Sequence, residues 1–240
     1  MVVKIVYIDD DDQDRRKYKA KFLADARSRG KFVVETVNTP KSLTEYKNII
    51  QMNPDLLFVD YVLDIPEGDK VIGVSGVALS TELRQKCPGV PIVLFTRKSM
   101  FGRHDYINTK ETLSSIIDEI IYKQDLFKQD SLILENIYRI ADGYNILRNQ
   151  KDRTWGGLLG LIGASKSDQE LLEQSNPPFP DIKRWSTTSI AVWIRDILLR
   201  FPGILYDAVH AATLLGISKE AFLSETIQKT FASARYAGIF

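Results

Sequence analysis

Short apolar runs alternate with helical patterns along the first half of the chain. Five runs rich in β-branched residues predict strands at residues 4–8, 32–36, 56–59, 92–95 and 120–122. Most of them are continuously apolar, which is typical of a parallel sheet that is covered on both faces. Between them, helical patterns begin near Asp12, Ser42, Val77 and Lys110. This alternation predicts an α/β fold, a doubly wound sheet of five parallel strands.

The second half of the chain has a different pattern. A long helical stripe over residues 126–150 carries Ile133, Ile137, Ile140 and Tyr144 on one face. The glycine-rich stretch "WGGLLGLIGASKSD" and the proline-rich "NPPFP" follow it, and only helical patterns come after them. We therefore predict an α/β domain over residues 1–127, a connector helix over 128–150 and a small all-α domain over 151–240.

Composition narrows the class of protein. Hydrophobic residues make up 44% of the 240 and charged residues 26%, which is typical of a globular protein, and the net charge of +1 attracts no polyanion. The lone Cys87 has no internal disulfide partner, which fits a reducing compartment. No apolar run reaches the roughly 18–20 residues that span a bilayer, and acidic residues interrupt the N-terminus. We expect a cytoplasmic protein that does not contact membranes.

Polar residues follow four of the five predicted strands. The first strand ends in Asp9 and Asp10, the third in Asp60, the fourth in Thr96 and the fifth in Lys123. In an open parallel sheet, ligands bind beyond the carboxyl ends of the strands. We therefore expect three carboxylates, one hydroxyl and one amine to converge on one crevice.

These residue types suit the capture of a phosphoryl group. Carboxylate oxygens are ligands for Mg²⁺, and a carboxylate can attack phosphorus to give an aspartyl phosphate. A cation on either side would balance the negative charge of the transferred group. This chemistry explains why Asp9 and Asp10 stand together after the first strand, while Asp11 and Asp12 serve the loop and the helix cap.

The same fragments resemble a known family. "VYIDDD", "LLFVDYVL", "IVLFT" and "IIYK" stand in order at the strand ends, and over residues 1–125 they resemble the receiver domain of bacterial two-component response regulators, which has a flavodoxin-like fold. The resemblance implies that Asp60 is the phosphoacceptor and that Asp9 and Asp10 form the acidic pocket, with Asp10 as a direct Mg²⁺ ligand. Asp60 itself and the backbone carbonyl of Val62 would complete the protein ligands.

The resemblance also implies roles for the last two strand ends and a cellular function. Lys123 would contact the phosphoryl group and Thr96 would sense it. The protein would be a phosphoprotein of a phosphorelay, with no enzymatic activity beyond its own phosphorylation and dephosphorylation at Asp60. Its partners would be a histidine kinase or phosphotransfer protein and, downstream, another protein or DNA. The resemblance does not decide whether the protein forms a homodimer.

Some positions depart from the family pattern. Arg97 follows Thr96 where the family has a small residue, and Gln124 follows Lys123 where the family has proline. Arg97 could clamp a phosphoryl oxygen or close the pocket by pairing with Asp60. The stretch "DIPEGDKVIGVSG" after Asp60 is longer than usual and indicates an insertion with glycine hinges. An alternative is therefore a pseudo-receiver that is not phosphorylated and acts as a protein-interaction scaffold.

A second alternative concerns the C-terminal part. Residues 210–229, "HAATLLGISKEAFLSETIQK", resemble a helix-turn-helix, with Gly216 in the turn and Ser218 capping the second helix. Such a segment would make the protein a DNA-binding transcription regulator. The second helix carries few cations for phosphate contacts, with Lys219 and Lys229 balanced by Glu220 and Glu225, which favours an ordinary helical hairpin.

Overall fold

The structure is a computed structural model. It describes residues 2–29, 31–67, 70–97, 113, 115–128, 130–164, 166, 169–174, 177, 181–198, 212 and 215–230. The chain divides into two compact units, Met1–Ile146 and Leu147–Phe240, and each is described by itself.

The first unit is built on a five-stranded parallel sheet. Its strands are β1 (Val3–Ile8), β2 (Phe32–Val37), β3 (Leu56–Asp60), β6 (Ile92–Thr96) and β7 (Glu119–Tyr122). They lie in the order β2-β1-β3-β6-β7, and every neighbouring pair is parallel. Counted among themselves, these strands have the order 2-1-3-4-5 of the flavodoxin-like fold. The predicted fold class is confirmed, and each strand is one residue longer than predicted.

Both faces of the sheet are buried. Along β3, Leu56 and Phe58 belong to the apolar cluster on one face, and Leu57 and Val59 belong to the cluster on the other. Successive side chains of a strand point to opposite faces, so a strand that is covered on both sides must be apolar at every position. This double burial is the physical reason for the continuous apolar runs.

Three helices of this unit begin at side-chain caps. They are α1 (Asp12–Arg29), α2 (Leu43–Gln51) and α3 (Gly76–Lys86). The Asp11 carboxylate accepts hydrogen bonds from the backbone N–H groups of Gln13 and Asp14, and Ser42 and Ser75 cap α2 and α3 in the same manner. Residues 110–112 and 114 of the helix predicted from Lys110 lie outside the described residues, as does Gly30.

The insertion that was predicted after Asp60 to carry glycine hinges forms a β-hairpin in its described residues 62–67 and 70–75. Strands β4 (Val62–Glu67) and β5 (Lys70–Ser75) pair antiparallel. The Gly76 N–H closes the hairpin by donating to the Tyr61 carbonyl at 2.7 Å. A Cβ at Gly76 would lie 1.8 Å from the Asp60 carbonyl oxygen, so glycine is required there for close approach.

A long helix completes the first unit. A short helix, α4 (Asp125–Lys128), precedes α5 (Asp130–Asn149). Leu134, Ile137 and Ala141 of α5 are buried in the apolar cluster of one sheet face. The boundary between the two units falls within α5. The division at residues 127 and 150 stays a prediction.

The described part of the second unit is helical. Its helices are α6 (Trp155–Ile162), α7 (Gln169–Gln174), α8 (Thr187–Trp193), α9 (Lys219–Phe222) and α10 (Glu225–Thr230), and α8 continues as a π-helical turn, Ile194–Leu198. Trp155, Trp185 and Trp193 contact one another edge to face, with ring centroids 5.1–6.0 Å apart. Across the described residues of the whole chain, no helix combines the length and apolarity that a bilayer span requires.

Candidate functional site

The predicted carboxylates converge at one edge of the sheet. Asp9 and Asp10 follow β1, and Asp60 ends the adjacent β3, whose residues 56–59 pair in parallel register with residues 5–8 of β1. Side-chain oxygens of these three residues lie within 4.8 Å of one another. The parallel arrangement brings residues separated by half a domain in sequence to a single point.

Lys123 lies at the centre of the site. Its backbone N–H donates to the Thr96 carbonyl at 2.7 Å, which aligns the end of β7 with the end of β6. Its ammonium donates to Asp9 Oδ2 at 2.8 Å and to Asp60 Oδ2 at 3.0 Å, with only 3% of the side chain exposed. The buried ammonium gives each of the two carboxylates a partner of opposite charge, and a buried charge without a partner would be strongly destabilising.

Asp14 is a fourth carboxylate at the site and the third that contacts Lys123, and it was not predicted. Its Oδ2 accepts from Lys123 Nζ at 2.9 Å and from Arg97 at 3.1 Å. Asp14 lies in the first turn of α1, three residues after the Asp11 cap, and this spacing after the acidic pair is the only sequence signal for it. Arg97 forms its ion pair with Asp14, so the suggested pairing of Arg97 with Asp60 was wrong for this state.

Asp9 has both oxygens engaged. Oδ1 accepts from the Asp11 N–H at 2.8 Å, and Oδ2 accepts from the Tyr7 hydroxyl as well as from Lys123. Burial and the negative charge of Asp9 raise the pKa of Tyr7 far above its ordinary value, so the phenol remains a hydrogen-bond donor. Asp9 is therefore held in place by hydrogen bonds at both of its carboxylate oxygens.

The other carboxylates differ in their electrostatics. Burial raises the pKa of Asp60 to about 7; Lys123 opposes this and Asp9 adds to it. Burial also raises the pKa of Asp14, but hydrogen bonds and charge from Lys123 and Arg97 outweigh burial, and the net shift is downward. Burial lowers the pKa of Lys123, but Asp60 and Asp9 outweigh it, and its pKa lies above the ordinary value. Asp14 thus has a pKa below its ordinary value, whereas the pKa of Asp60 lies above it.

The hairpin contributes backbone groups to the site. Because Tyr61 and Gly76 form a hydrogen-bonded pair, Val62 and Asp64 occupy the alternate positions, whose N–H and C=O groups point away from β5. The Asp64 N–H donates to the Asp10 carboxylate, and burial raises the pKa of Asp10. The edge of β4 that carries the Val62 carbonyl therefore faces Asp10.

Thr96 ends β6 at the same edge. It is 1% exposed, and the register places its neighbour Phe95 beside Asp60. Its hydroxyl donates to the Arg97 carbonyl at 3.5 Å. The hydroxyl is thus engaged with its own strand end in this state.

Comparisons with solved structures find several distantly similar proteins. The beryllofluoride-activated N-terminal receiver domain of RstA from Klebsiella pneumoniae is 22% identical to this chain. The match covers 56% of this chain and 94% of that domain, with a TM-score of 0.38. A receiver domain from Methylobacillus flagellatus is 18% identical over 57% of this chain and 99% of its own, with a TM-score of 0.40. The N-terminal part is similar to response regulator receiver domains. No protein-family model and no curated protein matches this chain.

A longer protein is also similar to this chain. NtrX from Brucella abortus is 22% identical to this chain, with a TM-score of 0.42. The match covers 72% of this chain but only 33% of NtrX. Similarities as distant as these leave the fold to be assigned from the strand order and the function from the site itself.

The site has the donor set that Mg²⁺ prefers. Its side-chain donors are carboxylate oxygens, and hard oxygen ligands suit this ion. Asp9 and Asp60 accept hydrogen bonds at both oxygens, and Asp10 is half-buried and accepts from the Asp64 backbone. Asp9, Asp10 and Asp60 are the described carboxylates that fit a metal ion, and the outward-facing Val62 carbonyl lies on the strand edge beside Asp10.

Proposed function

We propose that this protein is a response-regulator-like signalling protein that accepts a phosphoryl group on Asp60. The observation that carries the proposal is the Lys123 ammonium, which lies 3.0 Å from Asp60 Oδ2 beside the cluster of Asp9, Asp10 and Asp60. An acceptor carboxylate needs a cation at hand when phosphoryl charge arrives, and the Lys123 ammonium is already in that position. The remaining function, relay to the C-terminal unit or to a partner protein, follows from this step.

The transfer would begin with an oxygen of the Asp60 carboxylate. That oxygen attacks phosphorus of a phosphohistidine on a kinase or phosphotransfer protein. The P–N bond breaks, its electron pair stays on the histidine nitrogen, and an acyl phosphate forms on Asp60. Hydrolysis later returns the carboxylate and inorganic phosphate. The pKa of Asp60 near 7 leaves a substantial ionised fraction at neutral pH, which is the nucleophilic form.

Mg²⁺ would be held by Asp10, Asp60 and the Val62 carbonyl, with Asp9 beside it. A bound Mg²⁺ would neutralise charge on the phosphoryl oxygens. Lys123 would stay with the phosphoryl group and Thr96 would turn its hydroxyl towards it. Since the phosphoryl group adds close to two negative charges, these new contacts would shift the population of conformations at the ends of β6 and β7.

Intact-mass measurement tests the proposal. The full chain is incubated with acetyl phosphate, with Mg²⁺ or with a chelator, and its mass is followed. We expect addition of one phosphoryl group in Mg²⁺, little in chelator and none in Asp60→Asn. Asp64→Asn is the matched control, because Asp64 is an exposed neighbour of the pocket and would leave labelling intact. Equal labelling of Asp60→Asn and the wild type would show that Asp60 is not the acceptor.

The pseudo-receiver scaffold is the second candidate. The observation that favours it is the ion pair of Arg97 with Asp14, which places a large cation where the family has a small residue. A scaffold of this kind would show no mass increase with acetyl phosphate and no effect of Mg²⁺ on hydrogen exchange near Asp10 and Asp60. The same experiment therefore separates the two candidates.

DNA binding is less well supported by the described residues. Ser218 caps α9 and Gly216 has a left-handed φ of 67°, as the helix-turn-helix pattern predicted. However, α9 is only four residues long, and α10 begins after a break at Leu223 and Ser224. A recognition helix needs several consecutive turns to present side chains along a groove.

A further inference from the structure

Asp14 Oδ2 is the common acceptor for two cations of the site. Arg97 lies 3.1 Å from this oxygen and Lys123 lies 2.9 Å from it. The Asp14 side chain is 10% exposed, whereas 55% of the Arg97 side chain is exposed. The carboxylate is thus fixed within the site, and the guanidinium reaches it from the solvent side.

Asp14 and Asp60 compete for the same positive charge. One ammonium, that of Lys123, donates to both carboxylates, so the two lie no farther apart than its two hydrogen bonds allow. Arg97 is also close enough for the negative charge of Asp60 to act on it. A change of charge at Asp60 must therefore change the balance between the two carboxylates.

We infer that Asp14 is a positioning residue that retains Arg97 and Lys123 while Asp60 is unmodified, and that a phosphoryl group on Asp60 draws the Arg97 guanidinium from Asp14. The inference rests on the proposed phosphoacceptor function and deepens it by naming the regulation of that site. A phosphoryl group carries more charge than a carboxylate and offers three oxygens to the planar guanidinium fork. Arg97 is then a phosphoryl ligand in the modified state and a partner of Asp14 in the unmodified one.

Competition of this kind has a measurable consequence. Removing the Asp14 charge frees both cations, so the site should bind a phosphoryl mimic more tightly. Beryllofluoride with Mg²⁺ is the probe, and isothermal titration calorimetry on the full chain gives its dissociation constant. We expect Asp14→Asn to tighten binding about tenfold.

Asp12→Asn is the matched control, since it removes one charge from the same helical turn. The Asp12 carboxylate pairs with Arg15 and Arg16 and contacts neither cation of the site. We expect less than about a twofold change with this control, because exposed charges are screened. If both Asn variants bound beryllofluoride more tightly to the same extent, net charge would explain the effect and the role of Asp14 would be overturned.

Arg97→Ala keeps the test decisive if Asp14→Asn does not fold, because Arg97 is largely exposed. We expect this variant alone to weaken beryllofluoride binding, and Arg97→Lys to restore part of the loss. In the Arg97→Ala background, the gain from Asp14→Asn should shrink at least about threefold, as expected for residues that interact directly. Unchanged affinity in Arg97→Ala would overturn the transfer of Arg97 to the phosphoryl group.

The two proposals fail in different ways. A wild-type protein that binds no beryllofluoride and takes no label from acetyl phosphate rejects the phosphoacceptor function, and this inference with it. A wild-type protein that binds and is labelled, but whose affinity is the same in Asp14→Asn and Asp12→Asn, rejects the role of Asp14 alone.

Discussion

The Lys123 ammonium lies 3.0 Å from the Asp60 carboxylate, and only 3% of the lysine side chain is exposed. The same ammonium is hydrogen-bonded to Asp9 and Asp14, so a single positive charge stands among three carboxylates. This arrangement makes the site dependent on one side chain, which opposes the effect of burial on the pKa of Asp60 and of Asp14. Several consequences are open to direct measurement.

Lys123→Met should destabilise the first unit strongly at neutral pH. The substitution keeps most of the volume but leaves three carboxylates without their shared cation, and we expect a loss of about 3–5 kcal/mol in the free energy of unfolding at pH 8. Mg²⁺ should recover part of the loss by supplying positive charge. Mild acid should also recover part, because protonation removes the repulsion. Urea unfolding with and without Mg²⁺ measures each effect.

Lys4→Met is the control for this experiment. Lys4 pairs with Glu35 at 2.7 Å, but the two side chains are 32% and 40% exposed. Surface pairs contribute roughly 0–1 kcal/mol, so little change is expected. A Lys123→Met protein as stable as Lys4→Met would contradict the central role of the buried ammonium.

Asp60→Asn should stabilise the protein in the absence of metal, and the gain should depend on pH. The folded-state pKa of Asp60 is raised to about 7, above the ordinary value of 3.8. The ionised form of Asp60 is disfavoured in the folded state. The free energy of unfolding is therefore highest below pH 3.8 and falls as the pH rises from 3.8 through 7. We therefore expect Asp60→Asn to gain about 2 kcal/mol at pH 8 in chelator and little at pH 4.

Denaturant unfolding at the two pH values checks the Asp60 prediction. Asp12→Asn serves for comparison, because 54% of the Asp12 side chain is exposed and surface substitutions usually change stability by less than about 1 kcal/mol. A gain in Asp60→Asn that is equal at pH 4 and pH 8 would show that burial does not control this carboxylate.

Gly76→Ala should disturb both the hairpin and β3. A Cβ at this position would lie 1.8 Å from the Asp60 carbonyl oxygen, so the backbone must move. We expect a loss of about 1–3 kcal/mol and weaker labelling of Asp60 by acetyl phosphate. Gly73→Ala lies in the same hairpin, and its Cβ would meet only Asp64 Oδ1 at 3.9 Å. Thermal unfolding should show no loss for Gly73→Ala, and equal losses in the two variants would refute the steric explanation.

Tyr144→Phe should loosen α5 from the sheet. The Tyr144 hydroxyl donates to Asp118 Oδ1, while Asp118 Oδ2 accepts from Arg84 at 2.6 Å and from the Ile92 N–H at 2.8 Å. Losing one donor to a buried carboxylate costs about 1–3 kcal/mol. Hydrogen exchange of the α5 amides should become faster in this variant. Tyr138→Phe on the same helix is the control; if it accelerates exchange equally, the bond to Asp118 does not anchor the helix.

The sequence alone determined the sheet and most of the candidate site. Strands buried on both faces must be apolar at every position, so the five runs were visible, and polar residues directly after them were bound to meet at one edge. Asp9, Asp10, Asp60 and Lys123 were found by this route, and the structure brings them together. Thr96 was placed at the same edge by the same reasoning.

Only the tertiary structure decided the partners of Arg97, the role of Asp14 and the shape of the insertion. The Asp14–Arg97 pair joins residues 83 positions apart, and the Asp14–Lys123 bond joins residues 109 apart. Periodicity reports which face of an element is buried, but not which of several nearby carboxylates a flexible guanidinium will choose. That choice depends on distances between elements, and so does the close approach of Gly76 to Asp60 that closes the hairpin.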